Sequence, residues 1–450
     1  MDKRSVRNIV LLWLVWAVAV VGFQALATAR LQPQWPDRAQ QWTQDYTVPE
    51  KYQIGHPYLL DPFMNNQVAW DSEYYLSIAT GGYNDPCVAA LNPKISGGAL
   101  VRCTDKTNPA SVWDSAQSIS LNYAFFPFYP WMIHLFAIPL GLLGLDAISA
   151  ATLAGVLVSA LGTLIGVLAL YDLASETLDE DGRMRAVFYM LIFPTAFFFV
   201  QVYTEGLFVG LAFACLAMLK RKHMLYAALF GAAATLTRAV GIALIIPMAI
   251  GWIRTQEWYA LDLEWRQLYF KRPPWQPVWH FLLAFAPVFV FLAWKFSYNG
   301  FAFDFVEGNY FGRAALDLQT AFYTWGRAFS EMFAGFFNLK VPQQLQFFVN
   351  PQHSAYYFTE FICLVVALVA ILRCLKTDPE VAWFSLAVFL ISWGSGPAQG
   401  INRYVLAAPA VFISLARWGK NPVFDRVWTI ASLLLMSLMA MMYAFNFWVA

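Results

Sequence analysis

Five short constellations hold the residues whose types and spacing can do chemistry. Trp70-Asp71-Ser72-Glu73-Tyr74-Tyr75 sets two carboxylates among aromatic rings. A carboxylate can take the proton of a hydroxyl nucleophile, and an Asp at a helix start is also an ordinary cap; the spacing leaves both roles open for Asp71. Tyr203-Thr204-Glu205 places a carboxylate between two apolar runs. A charge there is costly in lipid and points to a cavity, unless the position is well hydrated. Thr237-Arg238 with Gly241, and Gln399-Gly400-Ile401-Asn402-Arg403-Tyr404, put single arginines at the edges of apolar runs. A guanidinium there either pairs with a carboxylate or phosphate or snorkels to the headgroups. Phe125-Phe126-Pro127-Phe128-Tyr129-Pro130-Trp131 holds aromatics and prolines at the start of an apolar helix and reads as an interface anchor.

Together these constellations offer carboxylates for sugar hydroxyls and arginines for an anion, beside apolar segments for a lipid tail. A phosphate-bearing lipid with a sugar headgroup presents the matching chemistry. His56, His134, His223, His280 and His353 are scattered, and the cysteines have no zinc-site spacing, so no metal is assigned. Asp304, Glu307 and Arg313 carry no pattern that singles them out.

The elements that must position these residues are membrane helices. Of 450 residues, 59% are hydrophobic and 13% charged, about half the charged share of soluble domains. A net charge of +1 gives no basic surface for nucleic acid. Apolar runs fall at about 8–29, 147–170, 186–203, 205–219, 224–238, 239–253, 278–297, 355–372, 381–394, 403–418 and 426–447. This gives an all-α polytopic membrane protein with about 11 spans. Lys3, Arg4 and Arg7 precede the first run, and Ala25, Ala27 and Ala29 mimic a signal cleavage site. The run from Ile9 to Ala27 is nonetheless long enough to span, which favours an uncleaved first helix.

Basic loops set the orientation. Arg183 and Arg185, Lys220-Arg221-Lys222, Arg254 to Arg272, Arg373 with Lys376, and Arg417 with Lys420 all fall on the cytoplasmic side with the N-terminus if the stretch 124–145, broken by Pro127, Pro130 and Pro139, stays juxtamembrane. The chain then reads as one integral membrane domain over 1–450. A first span covers 8–29, and a long extracytoplasmic loop with juxtamembrane helices covers 30–146. Spans 2–7 occupy 147–297, a second extracytoplasmic loop 298–354, and spans 8–11 355–447. Trp70, Tyr74 and Ile78 recur at helical spacing, so an amphipathic helix begins near Asp71, ends at Gly81-Gly82 and rests on the membrane surface. Cys87 and Cys103 share the first loop and are expected to pair.

Taken in order, Trp70-Asp71, Ile78-Ala79, Gly81-Gly82-Tyr83, the Phe125–Pro130 aromatic run, Phe193-Pro194, Tyr203-Thr204-Glu205, Thr237-Arg238 with Gly241 and Arg403-Tyr404 resemble the landmarks of the PIG-V family, GPI mannosyltransferase 2, over roughly residues 60–410. The resemblance implies a GT-C type glycosyltransferase that moves mannose from a polyprenyl-phosphate mannose to a lipid or glycolipid acceptor, with inversion. It implies Asp71 as base, with Trp70, Glu73, Tyr74, Glu205, Arg238, Arg403 and Tyr404 holding donor and acceptor. Tyr74 or Tyr75 stands where eukaryotic members often carry His, so the acceptor need not be a GPI precursor. The chain has no Asn-x-Ser/Thr sequon, which fits a prokaryotic cell membrane. Three other readings use the same residues: another polyprenyl-phosphate-linked sugar, a lipid-linked sugar transporter or flippase, and a noncatalytic assembly subunit. Transport would show paired half-repeats and charges mid-span, and neither is visible.

Overall fold

The computed structural model describes residues 1–30, 61–85, 88–92, 99–101, 118–255, 275–314, 316–337, 351–445 and 447–449. The expected Cys87–Cys103 pair and the basic residues Arg266, Lys271 and Arg272 lie outside them.

Helices make nearly all of the described structure. In chain order they include α1 (Lys3–Arg30), α2 (Asp71–Gly81), α3 (Phe128–Gly141), α4 (Ala147–Leu173), α5 (Glu180–Leu191), α6 (Glu205–Lys220), α7 (Met224–Thr237), α8 (Ile245–Thr255), α9 (Trp275–Ala284) and α10 (Ala286–Lys295). They continue with α11 (Tyr298–Val306), α12 (Leu318–Phe337), α13 (Pro351–Cys374), α14 (Pro379–Trp393), α15 (Pro409–Trp418) and α16 (Pro422–Ala444). The exception to the all-α expectation is a small antiparallel sheet of β1 (Ala90–Asn92), β2 (Ala99–Val101) and β3 (Ile119–Ser120), in the order β2-β1-β3.

Four helical stretches among the described residues are long and apolar enough to cross a membrane: α1, Ala147–Glu176, Ser354–Cys374 and α16. Helices α9 and α10 meet at a 60° bend and together make a fifth candidate. With a mean hydropathy of +0.51, this is an integral membrane protein. Helix length does not by itself establish eleven crossings, because several apolar helices are shorter than the roughly 20 residues a straight span needs. Helix α3, with 14 residues, is one of these; it rises about 21 Å against a ~30 Å hydrocarbon core.

Two of the expected straight runs are broken, and the breaks build the site. The run 186–203 stops being α-helical after Leu191 and resumes as a 3₁₀ turn over Ala196–Val200. Pro194 between them has no N–H to donate and restricts Phe193 before it. The run 403–418 divides into a four-residue helix Ile401–Tyr404, a 3₁₀ turn over Val405–Ala407, and α15, which begins at Pro409.

The tightest packing is between α4 and α6. Each contributes a small-residue pair one turn apart, Gly162/Gly166 and Gly206/Gly210. A Cβ on Gly206 would stand 2.2 Å from the Ser159 carbonyl oxygen, and one on Gly210 would stand 2.3 Å from that of Gly162. Backbones this close exchange dispersion contacts that no side chain could reach, the usual way helices associate in lipid.

One expectation is overturned. Helix α2 is not amphipathic. Every residue from Ser72 to Ala79 is buried, polar ones included. Its Ser72 hydroxyl meets the Tyr443 hydroxyl at 3.2 Å, and Ser77 donates to Asp85 at 2.9 Å. Buried polar groups need such partners, so this helix sits inside the protein.

Candidate active site

The start of α2 is held by the element that follows the Pro194 break. Val202 N–H donates to the Gln67 carbonyl at 3.2 Å, and Tyr203 hydroxyl donates to the Ala69 carbonyl at 3.0 Å. Tyr443 on α16 adds a bond to the Gln67 carbonyl at 3.2 Å. Trp70 follows in a conformation rare outside glycine, φ 49° and ψ −107°. Strain of this kind persists only where its surroundings fix it, and here Trp70 packs edge-on against Tyr443 and Trp448. Trp70 takes the N-cap position, so Asp71 is the first residue inside the helix and forms no cap.

The Asp71 carboxylate instead meets Arg403, whose Nη1 donates to Oδ2 at 3.1 Å. Arg403 Nε lies 3.3 Å from Glu205 Oε1, a charge contact without hydrogen-bond alignment. The same Glu205 oxygen accepts from Arg238 Nη1. One carboxylate therefore bridges two guanidiniums, and one guanidinium bridges two carboxylates. The side chains of Glu205 and Arg403 are 2% and 6% exposed, whereas that of Asp71 is 26% exposed. Asp71 is thus the most open member of the chain, ahead of Arg238 at 16%. Aromatic faces of Phe198, Tyr203 and Tyr404 surround the Arg403 guanidinium within 5.5 Å, and Tyr404 also lies under Arg238 at 4.9 Å. Such faces suit a weakly hydrated planar cation. Glu205 Oε2 has no hydrogen-bond partner among the described residues.

These groups line one cavity of about 640 Å³, within the range of small-molecule sites. Of the residues singled out by sequence, Trp70, Asp71, Tyr74, Glu205, Arg238, Arg403 and Tyr404 all reach its wall. Glu73 does not: it is fully buried and absent from the wall. The aromatic run also departs from a pure anchor. Phe125 stacks on Tyr74 at 4.8 Å and Phe126 packs against Trp294 at 5.3 Å, both on the cavity wall; Trp131 alone of that run is strongly exposed.

Sequence reasoning missed Lys295, Asp304, Glu307 and Arg313, which complete the wall. Lys295 pairs with Asp304. Arg313 has no carboxylate within ion-pair distance among the described residues, although its charge acts on Glu307 and Asp71. Desolvation within the cavity raises the Glu307 carboxyl to about 7, with the negative charges of Asp71 and Asp304 adding and Arg313 opposing. The cavity thus holds four carboxylates and four cations (Asp71, Glu205, Asp304 and Glu307 against Arg238, Lys295, Arg313 and Arg403). No cluster of three or more metal-ligating side chains occurs among the described residues.

Fold and cavity define a predominantly helical integral membrane protein with a charged, aromatic-walled internal site. No protein-family model matches the chain, and no curated protein does either. The chain is similar to the archaeal oligosaccharyltransferase AglB from Archaeoglobus fulgidus in complex with an inhibitory peptide and a dolichol-phosphate, at 14% identity and a TM-score of 0.40, covering 96% of this chain and 55% of that one. It is also similar to ArnT from Cupriavidus metallidurans bound to undecaprenyl phosphate, at 14% identity and a TM-score of 0.44, covering 97% and 68%. Against ArnT in the apo state the figures are 14% and 0.42, covering 98% and 76%. At TM-scores under 0.5 the likeness does not transfer what those proteins do to this chain, which spans just over half the length of AglB.

Proposed function

We propose that the cavity is the active site of a GT-C type membrane glycosyltransferase. It moves mannose from a polyprenyl-phosphate mannose to a lipid or glycolipid acceptor on the extracytoplasmic face. The observation that carries this reading is the convergence of Asp71, Glu205, Arg238 and Arg403 on one wall, from four separate elements. The chemistry follows from their charges. Asp71 takes the proton of the acceptor hydroxyl. The hydroxyl oxygen bonds to the anomeric carbon from the face opposite the lipid phosphate. The bond from that carbon to the phosphate oxygen breaks, and its electron pair leaves on the phosphate. An anion leaves, so no strong acid is required.

Arginines suit the accumulating charge by their planar fork. Arg238 and Arg403 are already neutralised by carboxylates, so they set the field around the phosphate more than they bind it alone. Arg313 has no carboxylate at ion-pair distance among the described residues and lines the same wall, so its guanidinium is the one most available to the phosphate. Glu205, 2% exposed, holds Arg238 and Arg403 in place from within the wall.

The deciding experiment incubates purified protein with radiolabelled polyprenyl-phosphate mannose and membrane lipid extract. Label in a lipid or glycolipid product is the expected outcome. No transfer from mannose but transfer from another polyprenyl-phosphate sugar would change the donor and keep the class. Donor binding with no transfer from any sugar would move the protein to the transport reading.

A further inference from the structure

Glu360 is fully buried in the apolar helix α13, and a carboxylate within such a helix is costly unless it meets a specific need. Its two oxygens face the backbone of a different element. Oε1 accepts the Gly400 N–H at 3.0 Å, and Oε2 accepts the Asn402 N–H at 3.0 Å. Tyr356, one turn earlier on α13, offers its hydroxyl oxygen to the same Gly400 N–H at 3.1 Å. These amides open the four-residue helix Ile401–Tyr404, where N–H groups have no partner within the helix. No residue of the turn itself supplies a side-chain cap; Glu360 caps it from outside. The far side of the turn closes on itself, with Arg403 and Tyr404 N–H both donating to the Gly400 carbonyl at 3.1 and 3.0 Å. Gly400 sits at φ +76°, a backbone state that glycine adopts without penalty.

The next residue along is Arg403, whose guanidinium joins Asp71 to Glu205. We propose that Glu360 is a positioning residue that acts through Arg403. Its carboxylate fixes the Gly400–Tyr404 turn, and the turn fixes the guanidinium between the two cavity carboxylates. The effect on turnover rests on the transferase reading; the placement of Arg403 does not.

Glu360→Gln tests it, because the amide keeps the volume but its nitrogen cannot accept an N–H. In detergent-solubilised full-length protein, labelling of Arg403 by phenylglyoxal, read by mass spectrometry, should accelerate about tenfold, the population shift that loss of one hydrogen bond to a charged group allows. Arg327, 44% exposed on α12, is the control and should not change. Turnover should fall about 10- to 100-fold, the usual cost of a small displacement at a reacting centre. Arg403→Lys combined with Glu360→Gln should be no slower than the slower single variant, because both act through one guanidinium. Unchanged Arg403 labelling, or losses that multiply in the double variant, overturns the proposal. If Glu360→Gln does not fold, Tyr356→Phe removes the second acceptor of the Gly400 N–H together with the hydroxyl's bond to Glu360, and decides by the same labelling. If no variant or wild type transfers sugar, the transferase reading falls and the labelling still decides the role of Glu360.

Discussion

Asp71 and Glu307 show how two carboxylates on one cavity wall take different characters from their neighbours. Asp71 faces Arg403 at 3.1 Å while keeping part of its surface open, which suits a group that must reach a substrate hydroxyl. Asp71→Asn preserves shape and leaves Arg403 its contact to Glu205, so the variant should fold and bind donor while turnover falls about 10²–10⁴-fold. Turnover within a few-fold of wild type would leave Asp71 a structural partner of Arg403. Glu307 is outside the long apolar helices; it is half-buried, and desolvation within the cavity lifts it from 4.5 to about 7. Its folded pKa exceeds the unfolded one, so folding favours the protonated form. The stability it contributes is full below pH 4.5 and is lost as pH rises to about 7. Thermal unfolding at pH 5, 6 and 7.5 should therefore show a decline in wild type that is shallower in Glu307→Gln. Parallel curves would show that Glu307 ionises at an ordinary carboxyl pH.

At the level of elements, the α4–α6 contact decides where Glu205 stands, since Glu205 opens α6 one residue before Gly206. A methyl group on Gly206 has no room beside the Ser159 carbonyl. Gly206→Ala should cost about 1–3 kcal/mol of stability and lower activity by shifting Glu205. Gly326→Ala is the counterpart on α12, where a Cβ meets nothing within 4 Å; it should stabilise by roughly 0.5–1 kcal/mol through helix propensity. Unfolding in a denaturing detergent series would measure both. Equal effects at the two positions would show that helix propensity, and not close approach, governs the interface.

Across the whole molecule, α1 works as a ruler. Near its start Ser5 accepts from the Tyr171 hydroxyl and approaches Glu180, while near its end Gln24 meets Gln201 and Thr28 meets Asn66. The Lys220–Arg221 cluster gathers around Asp172, next to Tyr171, and the cavity lies by the far end of α1. The stretch of helix between Ser5 and Gln24 rises about 28 Å, close to a hydrocarbon thickness. Single cysteines at Lys222 and Asp304 should then label from opposite faces. In intact cells an impermeant thiol reagent should reach the Asp304 position and not the Lys222 position. Labelling of Lys222→Cys from outside would invert the orientation.

Composition and run length were enough to place this chain in a membrane, because each apolar residue adds to the same transfer free energy wherever it folds. The individual landmarks were legible for a related reason: Asp71, Glu205, Arg238 and Arg403 are charges at the borders of apolar segments, and such charges need a purpose. Their pairing was not legible. Arg403 and Asp71 are 332 residues apart, and no local spacing connects them. Glu307, Arg313 and Glu360 stayed hidden because a charge in a polar loop, or one inside a helix with its partner elsewhere, has no distinguishing neighbours in sequence. The amphipathic reading of α2 failed similarly: helical periodicity identified the helix, but burial of its polar face depended on hydroxyl partners such as Tyr443, supplied from the far end of the chain. Local chemistry thus marked candidate charges at the borders of apolar runs and determined that a bilayer surrounds the chain. Only tertiary packing, through close glycine contacts and proline-broken helices, decided that they share one cavity and which charge answers which.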